Sequence, residues 1–258
     1  AGLCYLSIRL NGLVFSSTTS VPWAGNAAYS PLEPQPPPPA VTASSSVRAL
    51  RSDKFCKPPN FAMAHIDFIS VLHKKTKRDY LGRVNEFPKA EAARVAGRFD
   101  GDYWDGDRKF GYGGMRYDGR WRAVAEAMVK HYGLKAGDRI LDVGCGKGFL
   151  LYEFTQVVPG IHVTGLDISS YAVENAKPEV KSFLQTGHAN KLPFADKSFD
   201  LVVSLNTLHN LYCYDLDAAF REIERVGASH KYVCSEAYRN EEEKVNLLNW
   251  QLTCRMFC

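Results

Sequence analysis

The sequence predicts an α/β fold with a doubly wound, mostly parallel sheet, on three observations. Beyond Trp121, short apolar runs alternate with segments of helical period. Two of those runs carry an acid at or near their end, Asp142 and Asp167. One of them, Ile140-Leu141-Asp142-Val143, breaks into Gly144-Cys145-Gly146-Lys147-Gly148 before an apolar helix pattern opens at Phe149. Strands that read as apolar runs are covered on both faces, and ligands then meet the carboxyl ends of the strands. With 45% hydrophobic residues among 258, there is core material for a domain with an appendage.

In chain order, residues 1–62 read as a disordered or non-native leader. They hold Ser/Thr clusters at 16–20 and 44–46, a proline run at 36–39 and almost no acid. Their Ser-rich, acid-poor character also suits a transit peptide, which would make the compartment organellar instead of cytoplasmic. Met63 starts a better-patterned stretch, so 63–120 is expected as an N-terminal helical and aromatic-glycine cap segment. Within it, His73–Arg78 is a basic cluster, read as a solvated helix face. Tyr103, Trp104, Tyr112, Gly113, Gly114 and Tyr117 form a stretch suited either to closing over a ligand or to packing on the core.

The remainder, 121–258, is the expected binding domain. Trp121, Val124, Ala125, Met128, Val129 and Tyr132 mark a helix face ahead of a strand at 139–143. Leu150, Leu151, Phe154, Val157 and Val158 mark the helix after the glycine turn. Strands are expected at 161–166, 183–186, 199–205 and 231–235. Helices are expected to open at Ser169 or Ser170, at Asp215 with a stop at Gly227, and at Asn240 with Glu243 as a capping box.

Spacing separates three known glycine loops. A dinucleotide fingerprint would need glycine where Phe149 stands, and a phosphate-binding loop of Walker type would need Ser or Thr where Gly148 stands. What fits is D-x-G-x-G-x-G from Asp142 to Gly148, which resembles the first motif of the class I S-adenosylmethionine-dependent methyltransferases. The resemblance continues through Ile161–Ser169 with its acid and through Leu192-Pro193-Phe194-Ala195-Asp196 into Phe199–Ser204, covering roughly 120–240. It implies a Rossmann-like methyltransferase sheet. The usual antiparallel C-terminal hairpin has no counterpart before Cys258, so the sheet is expected to lack its C-terminal strands and to leave an edge uncovered.

The resemblance also implies S-adenosylmethionine as cofactor and methyl transfer to a small-molecule acceptor. Asp142, Gly144, Gly146 and Gly148 would shape the pocket for the methionine end, Asp167 would hold the ribose diol and Ile168 would cover an adenine face. The turn Gly187-His188-Ala189-Asn190 lacks the acid that relatives often carry near His188, so Asn190, His188 or backbone groups of the turn, which includes Ala189, are the candidate contacts for the adenine amine. After the fourth strand, Asn206 and His209 are the catalytic candidates, His209 as a general base. Tyr212, Tyr214 and Glu236 are further candidates for a substrate pocket. The alternative is a non-catalytic binding module on a degenerate version of this fold.

A net charge of +4 is modest and concentrated in the first sixty residues, so no nucleic-acid partner is implied, and no apolar run is long enough to span a membrane. The seven cysteines are odd in number and irregularly spaced, which favours reduced, mostly buried thiols. The pairs His209/Cys213 and Cys254/Cys258 match no zinc spacing, and no metal is expected.

Overall fold

The computed structural model describes residues 4–9, 66–72 and 79–255, the first of these as backbone alone. The basic cluster at 73–78 and nearly all of the 1–62 segment lie outside them. Strand β1, Cys4–Arg9, is the exception: a stretch expected to have no fold is an edge strand. After a 3-10 turn at Ser70–Leu72 come helices α1 (Tyr80–Glu86), α2 (Lys89–Ala96), α3 (Gly101–Trp104) and α4 (Arg122–Tyr132). The alternating part follows: β2 (Arg139–Val143), α5 (Phe149–Val157), β3 (His162–Asp167), α6 (Ser170–Glu174), α7 (Pro178–Lys181), β4 (Leu184–Thr186), β5 (Phe199–Leu205), α8 (Cys213–Val226), β6 (Gly227–Ala237) and α9 (Glu241–Trp250).

The strands lie in the order β1-β6-β5-β2-β3-β4, with β2 to β6 parallel and β1 antiparallel to β6. The expected doubly wound, mostly parallel sheet is therefore present. The edge beyond β6, expected to stand open, is paired with β1 over Tyr232–Ala237, from Cys4 opposite Ala237 to Arg9 opposite Tyr232. Chain order reverses direction between β2 and β5, which makes their carboxyl ends the place for a ligand.

Period-two alternation divides the core. Ile140, Leu201, Val203 and Tyr232 face Val124, Met128, Leu151, Phe154 and Leu247 on one side of the sheet. Leu141, Val143, Val202 and Val233 face Ala219, Ile223 and Val226 on the other. Both faces of β2 are thus buried, which explains its unbroken apolar run.

Helix starts follow their caps. The Ser169 hydroxyl accepts from the Ala172 amide at 3.0 Å, and the Asn240 side chain accepts from the Glu243 amide at 2.9 Å. Asp215 is a correction. It lies inside the first turn of α8, behind Tyr212 as the terminal residue, and its carboxylate is engaged with Asn190 at 2.7 Å instead of capping. Gly227 ends α8 as expected but is also the first residue of β6, which is longer than the run at 231–235 predicts.

Candidate functional site

At the carboxyl ends of β2, β3 and β5 a cavity of about 610 Å³ opens, within the range of sites for cofactor-sized molecules, about 300–1,000 Å³. Its floor is the turn after β2. Gly144 has φ +85°, and a Cβ there would be driven into the Thr207 side chain, so only glycine fits. The amides of Gly144 and Cys145 both donate to the Leu166 carbonyl, at 2.7 and 3.2 Å, tying the turn to β3.

Asp167 reaches into the same turn. Its carboxylate accepts from the Gly146 amide at 2.7 Å and from the Ser169 amide at 2.8 Å, one on each oxygen. Each oxygen keeps a second lone pair for a ligand. Burial pushes the Asp167 carboxyl above the usual carboxylate range, while the backbone donors pull it back. Asp142, below it, is pushed up to about 8 by burial and by the charge of Asp167. One Asp142 oxygen is buried with no hydrogen-bond partner among the described residues. A buried acceptor of this kind is costly unless a donor arrives.

Eight of the ten site residues expected from sequence line this cavity: Asp142, Gly144, Gly146, Asp167, Ile168, Ala189, Asn190 and Asn206. Two do not. Gly148, at the start of α5, packs under the turn, where a Cβ would meet Val180 at 3.0 Å and Leu184 at 3.1 Å, so its smallness serves the core. His209 is buried off the cavity wall, and burial alone lowers its pKa to about 4, too low for an efficient base near neutral pH. Tyr212 lines the cavity, whereas Tyr214 and Glu236 do not. Among the described residues, Asn206 is one of three non-glycine residues with positive φ, at 52°, and its amide oxygen is buried without a partner. Positive φ and an unmet acceptor thus coincide at the carboxyl end of β5.

The aromatic-glycine stretch both packs and walls the cavity. Trp104 donates from Nε1 to Ser169 Oγ at 2.8 Å, stacks on Tyr112 with centroids 5.3 Å apart, and lies against Gly146, where a Cβ would sit 3.0 Å from its ring. Lys147 reaches from the glycine turn to both oxygens of Asp105 at 2.7 Å and to the Met115 carbonyl at 3.1 Å. Tyr171 adds a hydroxyl donor to Asp105 at 2.9 Å, and Tyr117 donates to the buried Glu153 at 2.6 Å. Sequence reasoning missed Arg108, Arg116, Asp118, Arg120, Asn210 and Arg255 in the cavity wall. Lone arginines in a loop and near the chain end carry no local signal, although Asn210 lies in the polar run after β5.

Among the described residues no His, Cys, Asp and Glu cluster could hold a metal, and no helix is long and apolar enough to cross a membrane.

Comparison with known proteins bears on the same stretch. A family model described as "Methyltransferase domain" matches residues 141–234, from β2 into β6. Over residues 141–234 the chain is therefore similar to methyltransferase domains. The chain is 33% identical over 139 residues to a demethylmenaquinone methyltransferase of Roseiflexus, covering 52% of this chain and 56% of that protein. It is also 33% identical over 121 residues to a malonyl-[acyl-carrier protein] O-methyltransferase of Erwinia billingiae, covering 45% and 47%. A crystal structure of a SAM-dependent methyltransferase from Aquifex aeolicus aligns over 48% of this chain and 77% of that one, at 24% identity and TM-score 0.38. The chain thus spans about half the length of the curated relatives it matches. The motif residues Asp142, Gly144, Gly146 and Asp167 all fall inside the matched methyltransferase domain.

Proposed function

We propose that this protein transfers a methyl group from S-adenosylmethionine to a small-molecule acceptor held in the cavity above β2, β3 and β5. The observation that carries this reading is the join of the Gly144–Gly146 turn to Asp167, with the unmet oxygen of Asp142 beneath it. The residues fit the cofactor's chemistry. The free lone pairs of Asp167 suit a ribose diol, and the partnerless oxygen of Asp142 suits an ammonium. Ile168, 48% exposed beside the acid, offers an apolar face to adenine. Asn190 spends its amide N–H on Asp215 and keeps an oxygen for an exocyclic amine. The relatives are named for demethylmenaquinone and for malonyl-[acyl-carrier protein], and the first of these supports a small acceptor.

The bound cofactor supplies an electrophilic methyl on a sulfonium. The chain's part is to align and to dry the site: Trp104, Tyr112 and Ile168 exclude water, and Asn206 and Thr207 present polar groups beside the turn. Methyl transfer needs no covalent intermediate on the protein. His209 is off the wall, so an acceptor that reacts as its own anion or lone pair suits this site better than one needing a strong base.

The test is thermal stabilisation by S-adenosylmethionine, S-adenosylhomocysteine and NAD. Stabilisation by the first two alone supports the reading, and a response to NAD alone reverses it. Asp167→Ala should weaken cofactor binding by about 1–3 kcal/mol, and unchanged binding would take Asp167 out of the ribose role. Cofactor binding with no turnover on a metabolite extract would favour the non-catalytic module, a reading that His209's position off the wall supports.

A further inference from the structure

Four arginines share the cavity wall, and they are not equally committed. Arg120 is tied to Asp118, with Nε 2.7 Å from the carboxylate. Arg108 donates to the Gly111 carbonyl and lies 5.0 Å over the Trp250 ring. Arg116 and Arg255 differ: both are exposed, both line the cavity, and neither has a carboxylate within ion-pair distance among the described residues. They come from separate segments, Arg116 from the aromatic-glycine stretch and Arg255 from beyond α9.

Arg255 is held in place. Its amide donates to the His209 carbonyl at 2.8 Å, and its guanidinium sits 4.6 Å over the Tyr212 ring. Stacking fixes the plane of a guanidinium while leaving its edge N–H groups free to form a fork to a carboxylate or phosphate. This anchor lies on the loop that follows β5, the side where the reacting group of an acceptor belongs. Of the acids in the wall, Asp118 pairs with Arg120, whereas Asp142, Asp167 and Asp215 turn to the glycine turn, to backbone amides and to Asn190. Arg116 and Arg255 are therefore left without a carboxylate partner among the described residues.

We propose that the methyl acceptor is an anionic small molecule, and that Arg116 and Arg255 take its carboxylate or phosphate at the mouth of the cavity. This rests on the methyl-transfer reading above. The experiment is calorimetric titration of the full chain, saturated with S-adenosylhomocysteine, with succinate, inorganic phosphate and neutral succinamide. It is repeated on R116Q, R255Q and the double variant, each checked by its ligand-free melting temperature. Succinate or phosphate should bind at least tenfold more tightly than succinamide, and whichever binds better identifies the anion class. The double variant should lose that preference at least tenfold, with S-adenosylhomocysteine affinity held within twofold. Anion binding that is absent, or unchanged in the double variant, would overturn the proposal. So would lost S-adenosylhomocysteine affinity at an unchanged melting temperature, because the arginines would then serve the cofactor's own carboxylate. If S-adenosylhomocysteine fails to bind the unaltered chain, the methyl-transfer reading falls first and this one with it, before any anion is added.

Discussion

Two segments wall the same cavity and hold their shape by different means. Residues 142–148 are positioned by backbone: the Gly144 and Cys145 amides go to the Leu166 carbonyl, and the Gly146 amide goes to Asp167. Residues 99–121 are positioned by side chains: Trp104 on Ser169, Asp105 on Lys147 and Tyr171, and Tyr117 on Glu153. A turn set by backbone bonds tolerates almost no change at Gly144, while its side chains Asp142 and Lys147 face the cavity and the neighbouring wall instead of setting its shape. In the second segment side chains carry the tethers to the core, although Gly111 is as constrained as Gly144, a Cβ there colliding with the Tyr103 carbonyl. The first suits a cofactor that every turnover must place identically, and the second suits a wall whose residues set what else enters.

Gly144→Ala should have the largest effect. The new Cβ is strained at φ +85° and collides with Thr207, so stability should fall by roughly 3 kcal/mol or more, with loss of cofactor binding. Thr207→Gly in the same chain should return part of the loss by removing the collision while leaving the backbone strain. Chemical denaturation of the two variants measures this, and a near-neutral Gly144→Ala would remove the backbone account of this wall.

How much of each wall is legible in the sequence follows from the same division. An apolar run, spaced glycines and an acid at the next strand's end are local patterns, so β2, the turn and Asp167 could be read directly. Gly148 shows the limit: its spacing fits the motif, yet whether a glycine faces ligand or core depends on Val180 and Leu184, more than thirty residues away. His209 failed for a related reason, since its type suggests a base but its burial is set by tertiary packing. Trp104 could be placed in an aromatic stretch, but its seat on Gly146 is a contact across some forty residues. Arg255 has no pattern around it at all. Strand β1 was hidden because a composition poor in acid and rich in Ser and Pro outweighed six residues of alternating apolar character.

The acids of the two walls titrate in opposite directions, which gives the next effect. Asp142 is raised to about 8 from 3.8, so between those values the folded chain holds a proton that the unfolded chain has released, and stability falls as pH rises. His209, lowered from 6.5 to about 4, gives the opposite slope, but only below pH 6.5. The window from pH 6.5 to 8 lies above the His209 titration and reports on Asp142 with its raised neighbour Asp167. The ligand-free protein should lose about 1–2 kcal/mol across it, and Asp142→Asn should flatten the loss. Cofactor affinity should rise over the same window, because a bound ammonium favours the ionised acid. Denaturant midpoints at each pH give the first slope and calorimetry the second. A flat profile in the unaltered protein would mean that Asp142 is already ionised.

The smallest effect tests the tether of the second wall. At Asp105, burial opposes ionisation, but the hydrogen bonds from Lys147 and Tyr171 outweigh it and hold the carboxyl below the usual range. The Asp105 side chain is one-third exposed, so solvent screening discounts the pair, and a double-mutant cycle of Asp105→Asn with Lys147→Met should give a coupling of about 1 kcal/mol. Breaking the pair should leave the Gly146 amide protected by Asp167, while amides of Gly101–Trp104 and Met115 exchange faster with solvent. If instead the Gly146 amide loses protection in Lys147→Met, the turn depends on the side-chain wall as well, and the two segments form one cooperative unit rather than two.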